Sequence, residues 1–179
     1  KNPNPWNGYH RYIGDSQKIW LKNQLNKTLK PTIIFSHQSL ESNGGIANRE
    51  EIRKIIESNY LFGTKPKVVA CISGHHHTDY VKIINDIPYI QINSMSYKWV
   101  GEKYKFSRFD HKIEKEFPNL SKTCPYKEPL YTLLTLNLKR ETLEIEGKKT
   151  SFIPPNPIDL KIPEAKSMNA TISNFNLKI

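Results

Sequence analysis

The sequence contains no long hydrophobic run, and nowhere in its 179 residues does it approach the ~18 consecutive apolar residues of a membrane span. Cysteine is scarce as well, because Cys71 and Cys124 are the only two, too few for a disulfide framework. The N-terminal stretch 1–6 is polar and proline-rich and has no apolar segment of a secretory signal. These absences argue against a membrane-spanning or disulfide-stapled protein, and they leave the cellular compartment open.

Acidic residues are outnumbered, since 27 Lys and Arg against 17 Asp and Glu give a formal net charge of +10. A basic balance of this size suggests a polyanion as partner. The basic residues are nevertheless scattered, without a run of five, which is typical of solvated surface charge. We therefore do not expect nucleic acid to be the partner.

Apolar patterning predicts an α/β domain. The run Thr32–Phe35 and the run Val68–Ile72 are short and continuously apolar, as in strands that are buried on both faces. An amphipathic helix is predicted between Asp15 and Pro31, with Trp20, Leu21, Leu25 and Leu29 on its apolar face. Asn85-Asp86 between two β-rich runs predicts a hairpin turn, and a second hairpin is predicted from Tyr131 to Glu146.

Histidines follow both buried strands directly. His37 comes after the first strand, and Gly74-His75-His76-His77 comes after the second. Ligand sites in open α/β sheets gather at the carboxyl ends of strands. His75 and His77 are two positions apart on an extended turn, which suits two neighbouring metal ions better than one tetrahedral ion. Solvated surface histidines and an adventitious metal-binding run are the alternatives that spacing alone leaves open.

The order of these segments resembles that of the calcineurin-like metallophosphoesterases. Phe35-Ser36-His37-Gln38-Ser39-Leu40 is similar to the lone-histidine segment of that family, and Gly74-His75-His76-His77 matches its G-H-x-H motif. The flanks agree, because 17–25 is similar to the Q-x-x-W-L-x-x-x-L helix and 87–94 resembles the strand after G-H-x-H. The match covers residues 14 to 101 well.

The resemblance implies one sheet, with flanking helices, of a two-sheet α/β sandwich. Residues 1–101 would be the C-terminal half of the metallophosphoesterase domain. Residues 102–153 would form a variable loop and a β-hairpin that completes the sheet, and 154–179 a proline-rich extended tail.

The resemblance also implies a set of ligands for two divalent metal ions, Mn, Fe or Zn. His37 and His75 would bind one ion and His77 the other. His76 occupies the variable position of the motif, so it would support the site from behind or lie at the surface. Asp79 could orient a ligating imidazole, although a solvated carboxylate is the stronger expectation.

Three motifs of the family, D-x-H, G-D-x-x-D and G-N-H, have no counterpart here. The bridging aspartate and the catalytic histidine would precede Lys1, so we expect no catalytic residue in this chain. The complete protein would be a phosphoesterase and this chain alone would be inactive. The alternative is a truncated or degenerate non-catalytic module of the same fold.

The expected partners are a phosphate-ester substrate and a covering for one sheet face. That face, with Ile33, Phe35, Val69 and Cys71, would contact the aspartate-bearing half or a second copy of the chain.

Overall fold

The computed structural model describes residues 5–6 and 9–179, and of residues 5, 6, 9 and 10 it describes the backbone alone. Its helices are α1 (Asp15–Lys27), α2 (Arg49–Glu57) and α3 (His111–Glu116), with short 3₁₀ turns at Glu102–Tyr104, Leu120–Lys122 and Ala165–Ser167. Its strands are β1 (Pro5–Trp6), β2 (Tyr9–His10), β3 (Thr32–Ser36), β4 (Tyr60–Leu61), β5 (Lys65–Pro66), β6 (Val68–Ser73), β7 (Tyr80–Ile84), β8 (Ile87–Gln91), β9 (Tyr97–Trp99), β10 (Thr123–Pro125), β11 (Leu133–Asn137), β12 (Thr142–Glu146) and β13 (Phe175–Lys178). Within the described ranges, no helix is both long enough and apolar enough to cross a membrane.

A four-stranded sheet in the order β3-β6-β8-β7 forms the centre of the chain. Strands β3, β6 and β8 are parallel, and β7 runs antiparallel to β8. The turn between β7 and β8 contains Asn85 and Asp86 with φ angles of 50° and 62°, as a two-residue hairpin turn requires. The prediction of this turn is confirmed, and so is the prediction that β3 and β6 are strands. Strand β6 is buried as predicted, but the predicted burial of β3 on both faces is wrong, because β3 lies at the edge of the sheet and its Phe35 is 71% exposed.

A second sheet contains β11, β12 and β13, all antiparallel. The hairpin β11–β12 forms as predicted, but the prediction that it completes the same sheet is wrong. Strand β12 pairs along its other edge with β13, from the segment predicted to be an extended tail. The reason is that the apolar residues of β12, Leu143 and Ile145, are fully buried between the sheets instead of beside the strands of the first sheet.

The four-stranded sheet has a separate apolar core on each face. Helices α1 and α2 cover one face, and the buried residues of that core are Leu25, Leu40, Ile46, Ile52, Ile56, Val68, Cys71, Ile87 and Tyr89. The three-stranded sheet covers the other face, and the buried residues there are Ala70, Ile72, Ile90, Tyr126, Leu130, Leu143, Ile145, Ala170 and Ile172. The architecture is therefore mixed α/β in three layers, and the two-sheet sandwich of the family it resembles stays a prediction.

The residues predicted to share one sheet face do not all do so. Thr32 pairs with Val68 but Ile33 pairs with Ala70, so the register shifts and Val69 is an extra residue in β6. Beyond the shift, Cys71 packs in the helix-side core whereas Ile33 packs on the opposite side. Successive side chains in a strand point to opposite faces, so one inserted residue moves the pattern to the other face.

Helix α1 begins at Asp15, with Gly14 as its N-cap and no side-chain capping hydrogen bond, so Asp15-Ser16 does not supply the N-cap that the sequence predicts. The predicted apolar face of the helix is only partly buried. Leu25 is 1% exposed, whereas Trp20 is 54% and Leu29 is 74% exposed. The predicted burial of Trp20 and Leu29 is therefore wrong. Leu29 lies beyond the end of the helix, so helical spacing does not fix its direction.

The carboxylate of Glu57 joins the end of α2 to the β7–β8 hairpin. It accepts hydrogen bonds from Arg53 Nε at 2.7 Å, Tyr89 Oη at 2.9 Å and Asn85 Nδ2 at 2.6 Å. Burial by itself would raise the pKa of Glu57, but these three donors outweigh it and hold the pKa below its ordinary value.

Candidate metal centre

The predicted metal ligands stand at the carboxyl ends of two neighbouring parallel strands. Ser36 at the end of β3 pairs with Ser73 at the end of β6, so His37 and Gly74 leave the sheet side by side. The backbone N–H of Gly74 donates to the carbonyl of His37 at 3.2 Å, which continues the ladder one step past the strands. The local fold thus brings the two histidine-bearing segments together for the reason that the sequence suggests.

His37 and His75 are in direct contact. Nε2 of His37 lies 3.0 Å from Nδ1 of His75, and the rings meet edge to face with centroids 4.8 Å apart. Two imidazole nitrogens on one metal ion, with bonds of about 2.0–2.1 Å, lie roughly 2.9 Å apart at a right angle and roughly 3.3 Å apart at a tetrahedral angle. The observed 3.0 Å falls in that interval, and it is equally the length of an N–H···N hydrogen bond between the two rings. The sharing of one ion by His37 and His75 stays a prediction.

His77 stands apart from that pair. Its ring packs against Tyr97 with centroids 5.0 Å apart, and its buried Nδ1 has no hydrogen-bond partner among the described residues. Within the part of the chain that the structure describes, no three His, Cys, Asp or Glu side chains form a group that could hold a metal ion. His37 and His75 are therefore brought together, and the assignment of His77 to a second ion stays a prediction.

His76 turns toward the loop that follows β3. Its ring lies so close to Gly44 that a Cβ on that glycine would come within 2.7 Å of His76 Cε1. Nε2 of His76 is buried and has no hydrogen-bond partner in the described ranges. The variable position of the motif thus contributes a partly buried imidazole beside the predicted site.

Residues 74–77, called here the histidine turn, have an unusual backbone conformation that side-chain hydrogen-bond donors stabilise. His75 and His77 have φ angles of 69° and 49°, in the left-handed region, which costs roughly 1–2 kcal/mol for a residue other than glycine. Nζ of Lys98 on β9 donates to the carbonyl of His76 at 3.1 Å and to that of His77 at 2.7 Å. Lys98 thereby fixes the last two peptide groups of the turn.

A second donor holds the start of the turn. Gln91 ends β8 and is 1% exposed. Its Nε2 donates to the carbonyl of Gly74 at 2.7 Å and to Oγ of Ser73 at 3.1 Å. Gln91 and Lys98 were not identified from the sequence. Their importance depends on contacts with a segment about 20 residues away, which no local pattern reveals.

The surroundings of the three imidazoles in the histidine turn favour their neutral form. Burial lowers the pKa of His75, His76 and His77 below the ordinary value for histidine. For His75 the neighbouring His37 adds to the effect of burial, and for His76 and His77 the ammonium of Lys98 does so. Neutral imidazole is the form that ligates a metal ion.

Asp79 binds the C-terminal segment. Its Oδ2 accepts from the backbone N–H of Ser173 at 2.9 Å and from the Ser173 hydroxyl at 2.5 Å. It is thus not a fully solvated carboxylate, although its buried Oδ1 has no partner among the described residues. A role for Asp79 in orienting a ligating imidazole stays a prediction.

Glu41 is the carboxylate that acts on His76. It tends to raise the pKa of His76, against the larger effect of burial. Its own oxygens are engaged, because Tyr80 Oη donates to Oε1 at 2.5 Å and Lys82 Nζ lies 3.2 Å from Oε2. Burial and the bond to Glu41 raise the pKa of Tyr80 to about 12. Glu41 is therefore already paired in this structure.

A cavity of about 240 Å³ opens beside His75, and its walls are formed by Arg11, Gly44, His75 and His76. Arg11 lies in the stretch before α1, where no motif of the sequence singles it out. It was missed because a single arginine in an irregular segment carries no periodic signal.

Comparison with known proteins gives a limited result. No family profile matches the chain, and no curated protein matches it. Among solved structures, a dimetal phosphatase from Danio rerio is similar in fold, with a TM-score of 0.48 and 14% sequence identity. The similarity covers 79% of this chain and 38% of that one, so the chain spans well under half the length of that protein. A likeness at this level carries no statement about activity.

Proposed function

We propose that this chain contributes histidine ligands to the metal centre of a metal-dependent phosphoesterase. The observation that carries the proposal is the contact of His37 and His75, with nitrogens 3.0 Å apart at the ends of two neighbouring parallel strands. The order of the sequence segments supports it, since the lone histidine and the G-H-x-H motif follow these same two strands.

In this proposal His37 and His75 hold one divalent ion and His77 contributes to a second. When bound, such ions lower the pKa of a metal-bound water and neutralise charge on phosphoryl oxygens. The protein's part is to present neutral imidazoles and to fix the turn that carries them, through Lys98 and Gln91.

Among the described residues, no carboxylate joins the histidines in a group that could hold a metal ion. Glu41 is bound to Tyr80 and Lys82, and Asp79 to Ser173. Imidazoles alone do not balance the charge of two divalent ions. Hydrolysis is therefore proposed for a longer protein or an assembly that adds carboxylates and a proton donor, and Mn, Fe and Zn are the candidate ions.

The test has a binding arm and an activity arm. Titration of this chain with Co²⁺, followed by its visible absorption, should show binding that His75→Ala weakens at least tenfold. His111→Ala, on the exposed helix α3, is the matched control and should bind as the wild type does. In a protein that also carries the aspartate-bearing half, His75→Ala should abolish hydrolysis of p-nitrophenyl phosphate, and undiminished turnover there would refute the assignment.

The second candidate is a non-catalytic module of the same fold. It is favoured by one observation, that no three-ligand group occurs among the described residues. The coding region upstream of Lys1 discriminates between the two. D-x-H, G-D-x-x-D and G-N-H in frame support the enzyme, whereas substituted aspartates or a stop codon support the module.

We also propose that the aspartate-bearing half or a second copy covers the predicted sheet face at Phe35. Val69 and Cys71 of that predicted face are buried within this chain. Strand β3 is one of the two edge strands of the four-stranded sheet, and its Phe35 is 71% exposed. Light scattering of this chain should show self-association that Phe35→Lys reduces. If the chain is monomeric, binding of the separately expressed upstream segment should depend on Phe35, and independence from Phe35 in both assays contradicts the proposal.

A further inference from the structure

Arg11 projects a positive charge into the cavity beside the proposed metal centre. Its Nη1 donates to the carbonyl of Gly44 at 2.8 Å and, more weakly, to that of Gly45 at 3.4 Å. Its backbone carbonyl accepts from the N–H of Ala47 at 2.7 Å, so the residue is held at both ends. These hydrogen bonds therefore fix the position of the Arg11 guanidinium.

The charge of Arg11 is not neutralised by the residues around it. Its described side-chain partners are neutral carbonyls, and among the described residues no carboxylate forms an ion pair with it. Arg53 differs, since it pairs with Glu57 at 2.7 Å. Nε of Arg11 is buried and has no hydrogen-bond partner in the described ranges. A guanidinium with five N–H donors thus has donors and charge to offer an anion.

The other walls of the cavity add donors and no negative charge. His75 and His76 contribute imidazoles, and Nε2 of His76 has no partner among the described residues. Gly44 contributes backbone only, and it allows the ring of His76 to approach closely.

The size of the cavity limits what it can hold. Its volume of about 240 Å³ equals roughly eight water molecules at about 30 Å³ each. That space holds a tetrahedral phosphate group, whereas a nucleoside or peptide attached to that group would have to extend outside. Arginine is well matched to such a group because its planar fork can donate two parallel hydrogen bonds to phosphate oxygens.

We infer that the cavity of Arg11, Gly44, His75 and His76 is an anion site that binds the phosphate group of the substrate, with Arg11 as its principal donor. The inference rests on the proposed function for the identity of the anion, since His75 is shared between this cavity and the proposed metal pair. Arg11 is then a substrate-binding residue that lies in a different segment from the histidine motifs.

The test measures binding of inorganic phosphate to the metal-free chain by ³¹P NMR titration in EDTA-containing buffer. Arg11→Met should weaken phosphate binding at least tenfold, and Arg11→Lys, which keeps the charge but loses the fork, about fivefold. Arg49→Met is the matched control, because it removes the same charge from a residue that instead binds Asn43 of the neighbouring loop. Its phosphate affinity should stay at the wild-type value.

Equal losses in Arg11→Met and Arg49→Met would show unspecific attraction to a basic protein and would overturn the inference. No loss in Arg11→Met would also overturn it. If Arg11→Met does not fold, the Arg11→Lys variant decides. A phosphate affinity of Arg11→Lys equal to that of the wild type would refute the role of the planar guanidinium of Arg11.

Metal binding, measured separately with Co²⁺, distinguishes this site from the proposed function. A chain that binds phosphate through Arg11 but binds no metal supports the anion site and removes the metal centre. A chain that binds metal through His75, but whose phosphate binding does not depend on Arg11, supports the metal centre and refutes the anion site.

Discussion

Two buried glutamines near the histidine turn make it possible to measure how much the hydrogen bonds of that turn contribute to the free energy of unfolding. Gln91 is 1% exposed and its amide nitrogen makes two hydrogen bonds, whereas Gln38 is 7% exposed and its amide nitrogen makes none within the described part of the chain. Methionine has nearly the shape of glutamine but no amide. The two Gln→Met substitutions therefore differ mainly in the hydrogen bonds that they remove.

For Gln91→Met we expect a loss of about 2 kcal/mol in the free energy of unfolding, because leaving buried partners unsatisfied costs about 1–3 kcal/mol. The carbonyl of Gly74 keeps one partner, the N–H of His76 at 2.8 Å, which places the loss below the sum of two full bonds. For a chain of this length, 2 kcal/mol lowers Tm by roughly 4–8 °C. Gln38→Met removes an unpaired buried amide and should leave Tm unchanged or raise it.

Thermal and urea unfolding followed by circular dichroism measure both variants on the same scale. Equal losses in the two would mean that side-chain shape, and not hydrogen bonding, holds this region. No loss in Gln91→Met would refute the claim that Gln91 fixes the start of the histidine turn.

Two further predictions concern other contacts. Gly44→Ala places a Cβ 2.7 Å from His76 Cε1 and should cost about 1–3 kcal/mol in unfolding free energy. Gly14→Ala has nothing within 4 Å of the new Cβ and loses only the preference for glycine at the N-cap of α1, so it should cost less than Gly44→Ala. Equal Tm values for the two variants would contradict the packing of His76. Because the folded pKa of Glu57 is depressed, its stabilising effect is present above its ordinary pKa of 4.5 and is lost as pH falls through the folded value. Glu57→Gln should therefore lower stability near neutral pH and flatten the acid limb of stability against pH, and an unaltered acid limb in urea titrations would count against this linkage.

Much of the central sheet could be predicted from the sequence, and the reason lies in local signals. The runs that became β3 and β6 are apolar on both faces, and Asn85-Asp86 is a turn pair that tolerates left-handed φ. Because parallel neighbours end at the same edge, the contact of His37 with His75 follows from those strands once they pair.

The remainder depended on information that a local pattern does not contain. The register shift in β6 moved Cys71 to the helix side, and apolar runs alone do not show an inserted residue. The pairing of β12 with β13 joins residues 30 to 36 positions apart. Arg11 and Lys98 reach the site through contacts with backbone carbonyls, to which any sequence can contribute, so nothing in their surroundings marked them.

The bond between Asp79 and Ser173 has a consequence for the order in which the chain acquires its structure. The two residues are 94 positions apart. At synthesis rates of about 5–20 residues per second, Ser173 follows Asp79 by roughly 5 to 20 seconds. During that interval the loop after His77 lacks this anchor. On the ribosome, the predicted ligands would thus be exposed to cellular metal before their loop is fastened.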